Sequence, residues 1–324
     1  MLSRRELLAG AAAIASAGPI RVARSADWPA GPVKIIVPYP PAGSSDIAAR
    51  VVGQVVSEAL GQPVIIDNRA GAGGNLGMEA AARAAPDGYT LVLATTAHAI
   101  NMTLFKNLNY DTVKSFAPIA LVMEIPLLLV VNPDFAAKSV SELIALAKEK
   151  PKGINFASSG NGQSTHMAAE LFCSMAGVQM THVPYRGSAP AINDVIAGHV
   201  PLIFDTTVSA LPHAQGGKLR ALAVTSRQRL PSLADVPTVS EAGLPGYEIT
   251  AWNGFLAPAG TPQPIVERLN KEVVRALATA QVKERFDALS AFYRPTTPAE
   301  FEAYLRNEVE KWAKVVRDSG AKLE

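Results

Sequence analysis

The chain has 324 residues, 48% of them hydrophobic, 18% charged and 6% aromatic, with 24 Gly and 24 Pro. That balance describes a turn-rich globular protein of two lobes or one large domain, and it excludes wholesale disorder and collagen-like repeats. The single cysteine, Cys173, excludes an intramolecular disulfide, a cysteine zinc cluster and a CxxC redox pair. With a formal charge of +2 and no dense Lys/Arg run, the chain carries no electrostatic footprint for nucleic acid.

Residues 1–26 read as an export signal, with Arg4 and Arg5 at the start, an apolar run from Leu7 to Ala17, and small-residue cleavage sites after it. Ser3 to Leu8 also resembles the twin-arginine motif, with Leu7 where Phe is usual, so the twin-arginine and general secretory routes both stay open. Cleavage fits Ala15-Ser16-Ala17 or a cut after Ala26. Without these residues four arginines and one glutamate are lost, and the formal charge becomes −1. Apolar runs further on, such as Ile125 to Val131, fall well short of the roughly 20 residues of a spanning helix.

The rest alternates short β-branched runs with helix-like stretches, the pattern of an α/β fold with mostly parallel sheets flanked by helices. Strands are expected at 33–37, 64–67, 90–94, 127–131, 154–157, 180–183, 202–204 and 219–224. The C-terminal region is helical: Phe301, Leu305, Val309, Trp312 and Val316 form one apolar stripe. Thr297-Pro298-Ala299-Glu300 supplies its capping box, Gly320 its stop, and Ser139 with Glu142 caps an earlier helix.

In such sheets ligands sit at the carboxyl ends of strands, beside helix N-termini. Three loops there are rich in glycine and small polar groups: residues 38–46, 68–77 and 157–166. Looser sets follow at Thr95-Thr96, Tyr185-Arg186-Gly187 and Asp205-Thr206-Thr207. The glycines at 71, 73 and 77 miss the dinucleotide spacing, which argues against a nucleotide cofactor. The alternative for each loop is structural: a helix cap, or a glycine-rich connection with no ligand. His166 and Glu170, one helical turn apart, lack a third metal ligand, so no metal site is expected. No hydrolase, metalloprotease or P-loop motif occurs, although Ser159 or Ser164 with His166 or His182 leaves a periplasmic serine–histidine hydrolase as an alternative.

These loops occur in order with HVPYRGSAPA (182–191), GKLRALAVT (217–225), DVPT (235–238), GLPGYE (243–248) and LAPAGTP (256–262). The joint pattern resembles the Bug family of extracytoplasmic solute receptors, the binding component of tripartite tricarboxylate transporters. The resemblance implies a two-lobed, type II-like periplasmic binding protein, with 27–126 and 252–324 in lobe 1 and 127–251 in lobe 2. It implies capture of a small mono- or dicarboxylate, including aromatic and amino acids, and delivery to membrane permease subunits. The expected protein is a periplasmic monomer without enzymatic activity, cofactor or metal; a ligand sensor feeding a signalling partner is the alternative use of the same binding event. Carried over by position, Tyr39, Gly43, Ser44, Ser45, Asp46, Asn75, Thr95 and Thr96 fall on the first lobe's side of the ligand. Ser159, Asn161, Thr165, Tyr185 and Asp205 fall on the second. Two positions depart from the family pattern: Ala42 stands where the first of two glycines is frequent, and Arg186 where lysine is frequent. Arg186 is expected to be a surface or hinge contact, with selection of a second acidic group as the alternative.

Overall fold

The computed structural model describes residues 28–41 and 43–319; the expected export segment, Ala42 and Gly320 lie outside them. The chain opens with β1 (Val33–Val37), α1 (Ser44–Leu60), β2 (Val64–Asn68), α2 (Asn75–Ala82), β3 (Thr90–Thr95) and α3 (Thr96–Leu104). β1 pairs in parallel with both β2 and β3. Alternate residues of β1 feed two apolar layers: Val33, Ile35 and Val37 meet Ala48 and Val52 of α1, while Ile36 joins Met78 and Val92 on the other face. Covering both faces is why Ile35, Ile36 and Val37 follow one another as apolar residues instead of alternating with polar ones.

β4 (Phe116–Val131) is the longest strand among the described residues, and 14 of its 16 residues are buried. It runs antiparallel to β9 (Thr250–Pro258) as far as Pro126, then exchanges partners and pairs with β7 (Leu202–Thr206) and β8 (Arg220–Val224). The sequence reading placed only 127–131 in a strand. Pro118 and Pro126 look like breakers in sequence, but the register shift between Pro118 and Ala120 absorbs the first, and the second sits where partners change. β4 and β9 thus cross between the two lobes.

The second lobe continues with α4 (Val140–Glu149), β5 (Asn155–Ser158), α5 (Ser164–Ala176), β6 (Thr181–Pro184), α6 (Ser188–Ile196) and, after β7, α7 (Thr207–Gln215). Strands run in the order β2-β1-β3-β9-β4-β7-β5-β6, with β8 and the short β10 (Phe292–Tyr293) added on β4. Each lobe is therefore an α/β layer structure with a parallel core, and one mixed sheet passes through both.

After β9 come α8 (Gln263–Leu277), α9 (Ala280–Ala288) and α10 (Pro298–Ser319). α8 and α9 pack against α1, and α10 lies against both α3 and α5. Phe301, Leu305, Trp312 and Val316 are buried, as the stripe requires, and Val309 is partly buried. Thr297 and Glu300 close the capping box, Glu300 N donating to Thr297 Oγ1 at 3.2 Å and Thr297 N to Glu300 Oε2 at 2.8 Å. Gly254 lets Phe301 rest directly on β9, since a β-carbon there would lie 2.2 Å from the ring. Behind the crossing strands, Trp252 Nε1 and Trp312 Nε1 both donate to buried Glu308 Oε2 at 2.9 Å.

Candidate functional site

The first lobe's loops converge on α3. Thr95 N donates to His98 Nδ1 at 2.8 Å, and the Thr95 hydroxyl shares a 2.8 Å hydrogen bond with Tyr39 Oη. His98 is fully buried, and burial pushes its imidazole down to about 3, so it is neutral at ordinary pH. Burial likewise moves the Tyr39 phenol up to about 12. Gly74 (φ 96°) completes the corner, because a β-carbon there would lie 2.5 Å from His98 Nε2. Asn75 is buried, and its Oδ1 accepts from Asn101 Nδ2 at 2.8 Å and from Tyr110 Oη at 2.7 Å.

Asp46 is 3% exposed, and its carboxylate braces the loop. Oδ2 accepts from Arg50 Nε at 2.9 Å, and Oδ1 from Asn68 Nδ2 at 3.0 Å, which also donates to Tyr39 O. The full charge in this corner is therefore balanced locally, and what the start of α1 presents at Gly43 and Ser44 is uncharged N–H and hydroxyl. Two other hydroxyls are committed to the crossing strand: Ser45 Oγ accepts from Asn253 Nδ2 at 3.0 Å, and Thr96 Oγ1 accepts from Trp252 N at 2.8 Å.

The second lobe's loops are braced by other means. Thr165 Oγ1 accepts from Ser159 N at 2.9 Å and lies 2.8 Å from the Ser159 hydroxyl, drawing the loop onto α5. Asn161 is exposed at the loop's tip, beside buried Gly162. Under the loop the rings of His166 and His182 stack at 3.8 Å, with Phe156 against His182. His166 Nδ1 accepts from Gly162 N at 3.2 Å. Burial and the neighbouring His166 lower the His182 imidazole to about 3.

Neither Ser159 nor Ser164 forms a hydrogen bond with these rings. The hydroxyl that does is Ser158, 2.6 Å from His182 Nε2, and it is fully buried while also accepting from Gly160 N at 3.1 Å. That geometry shapes the loop. Tyr185 Oη donates to Asp194 Oδ2 at 2.6 Å, and Asp205 Oδ1 accepts from Ser188 Oγ at 2.8 Å and Thr206 N at 2.7 Å, joining the starts of α6 and α7. Asp205 is fully buried, which raises its carboxyl to about 7. Arg186 is exposed.

The two sets of loops meet at Gly162, where a β-carbon would lie 2.4 Å from Leu104 Cδ2 and 3.6 Å from Asn101 Oδ1 of α3. Glycine allows the backbone to come that close. His98 is the structural hydrogen-bonder that a single, scattered histidine is expected to be, whereas Asn101, Tyr110 and Asn253 leave no signal in the sequence. Among the described residues, no group of three or more His, Cys, Asp or Glu is placed to hold a metal ion, and no helix is long and apolar enough to cross a membrane. A cavity of about 390 Å³ lined by Glu124, Arg227, Glu248, Arg294 and Glu308 shares no residue with these loops.

Two lobes joined by crossing strands, with uncharged, donor-rich loops at the starts of helices on both, define a periplasmic-type solute-binding protein. The model for the tripartite tricarboxylate transporter family receptor matches residues 48–321, and the chain belongs to that family. Protein BugT of Bordetella pertussis is 38% identical over 312 residues, covering 96% of each chain. Among solved structures, Rpa4515 of R. palustris with adipate is 35% identical with a TM-score of 0.82, covering 92% of this chain and 100% of its own. MatC of Rhodopseudomonas palustris with bound malate is 36% identical with a TM-score of 0.79, covering 89% and 100%. The family consists of solute-binding receptors.

Proposed function

We propose that this receptor captures a small organic carboxylate between its lobes in the periplasm, as a monomer and without covalent chemistry, and delivers it to the membrane permease of a tripartite transporter. The lobes are taken as 27–126 with 252–324, and 127–251, because β4 changes partners between Pro126 and Leu127. The observation that carries the reading is the chemistry of the first lobe's corner. Asp46 is neutralised by Arg50, and the groups left at the starts of α1 and α2 are amide and hydroxyl donors. Donors at helix N-termini suit a carboxylate, and they hold it without an arginine clamp. The adipate and malate bound by the two relatives support the same ligand class for this chain.

Gly43, Ser44 and Asn75 on one side, with Ser159, Asn161 and Thr165 on the other, are the proposed contacts. Tyr39, Thr95, Ser45, Thr96 and Asp46 shape the first lobe's side; on the second, Tyr185 is tied to Asp194 near the end of α6 and Asp205 joins the starts of α6 and α7. Thermal unfolding of refolded, ligand-free protein against aliphatic, aromatic and amino carboxylates tests this. A ligand at 100 times its Kd adds about 2.7 kcal/mol, a shift of a few degrees. A shift confined to one acid class is expected; none across the panel, with no shift for any carboxylate, would refute it.

A further inference from the structure

We propose that Asn101 and Tyr110 are positioning residues that make the site prefer a carboxylate over the corresponding amide, by dictating which end of the Asn75 side chain faces the ligand. The proposal rests on Asn75 being a ligand contact.

A free asparagine offers either a carbonyl oxygen or an NH2 group, and a half-turn of its amide exchanges them to suit the ligand. Asn75 has no such freedom. Asn101 Nδ2 lies 3.3 Å from Gly73 O and 2.8 Å from Asn75 Oδ1. A peptide carbonyl only accepts, so Gly73 dictates the orientation of the Asn101 amide, and Asn101 in turn dictates that of Asn75. Tyr110 Oη donates to the same Oδ1 at 2.7 Å. Both acceptor directions of that oxygen are filled, and Nδ2 is turned the other way. A half-turn of Asn75 would bring two NH2 groups together at 2.8 Å.

All three side chains are at most 5% exposed, so water cannot readily stand in for either partner. Asn75 is also the first residue of α2, and its own N–H is taken by Ala72 O, so the group it has left to offer is the side-chain NH2. At that point the site presents a donor. A carboxylate accepts with both oxygens; an amide accepts with one and must turn its own NH2 away. A β-carbon on Gly162 would lie 3.6 Å from Asn101 Oδ1, so the second lobe's loop passes beside the residue that orients Asn75.

The test uses adipate with adipamide, and benzoate with benzamide, measured by calorimetry on the ligand-free mature protein. The wild type is expected to bind the better acid at least tenfold more tightly than its amide. Tyr110→Phe should lower that ratio about threefold. The double variant Tyr110→Phe with Asn101→Leu should lower it tenfold or more, with the thermal midpoint recorded to show that the fold is kept. The ratio is the informative readout, because a merely loosened corner would weaken acid and amide alike. Asn75→Ala separates the two layers of the argument. If it leaves acid affinity unchanged, or if the wild type binds none of the four compounds, the site reading fails and the proposal with it. If it weakens the acid while the double variant keeps the wild-type ratio, the site reading stands and the proposal is overturned.

Discussion

In the first lobe, two loops distant in sequence meet at one buried helix: Thr95, the N-cap of α3, holds the Tyr39 loop, while His98 and Asn101 of α3 hold the 68–77 loop at Gly74 and Asn75. That lobe is also tied to the crossing strand, at Ser45 and Thr96. In the second lobe the loop's bonds stay within the lobe. Ser159 is held by Thr165, six residues on, and the ring stack lies directly beneath the loop it supports. The first lobe's corner is thus fixed through the crossing strand, whereas the second lobe's Ser159 loop is fixed from within its own lobe.

The sharpest attempt to break that contrast is His98→Phe. It strands the buried Thr95 N–H, which costs about 1–3 kcal/mol, and releases the first lobe's corner. Urea unfolding should register the loss, and ligand affinity should fall more than tenfold; an unchanged affinity would mean that His98 fills space and organises nothing.

Next in size is the pH dependence. His98 and His182 stand at about 3 in the folded protein against an ordinary 6.5, so unfolding favours their protonation, and stability falls as pH drops from 6.5 toward 3. Asp205, at about 7 against 3.8, has the opposite sign: it is more readily protonated when folded, and its contribution is lost as pH rises from 3.8 through 7. Two histidines against one aspartate leave about 1.4 kcal/mol per pH unit between about pH 4.5 and 5.5, fading as pH approaches 6.5. Asp205→Asn should roughly double that slope to about 2.7 kcal/mol per unit, read from denaturant titrations at several pH values.

Thr165→Val, in the second lobe's loop, removes the acceptor of Ser159 N and should cost about 1 kcal/mol. Its effect on affinity should be severalfold, smaller than that of His98→Phe, and an equal or larger loss would erase the proposed asymmetry. Arg186→Ala should stay within about 0.5 kcal/mol of wild type, with affinity for a monocarboxylate changed less than twofold. A larger drop confined to diacids would show that the exposed guanidinium selects a second acidic group.

Much of this organisation was legible in the chain. The strand–helix alternation, the α10 stripe and the Ser139 and Thr297 caps all rest on neighbours within one or two turns. The first eleven residues of β4 were missed because Pro118 and Pro126 mark breaks in a local reading, and only the partner strands show how each is accommodated. The loops were found from their glycines and small polar residues at the ends of parallel strands. The use of each hydroxyl was not: Ser45 and Thr96 have the composition of ligand contacts, yet their oxygens serve strand β9.

The sequence by itself thus determined the elements, their caps and the donor-rich character of the loops, because each depends on backbone preference and on side chains a few residues apart. The tertiary structure decided which donors remain for a ligand. That choice depends on pairings across 26 residues for Asn101 with Asn75, 156 for Trp252 with Thr96, and 208 for Asn253 with Ser45. Buried polar groups must find partners, and over such separations packing alone determines which partner is within reach.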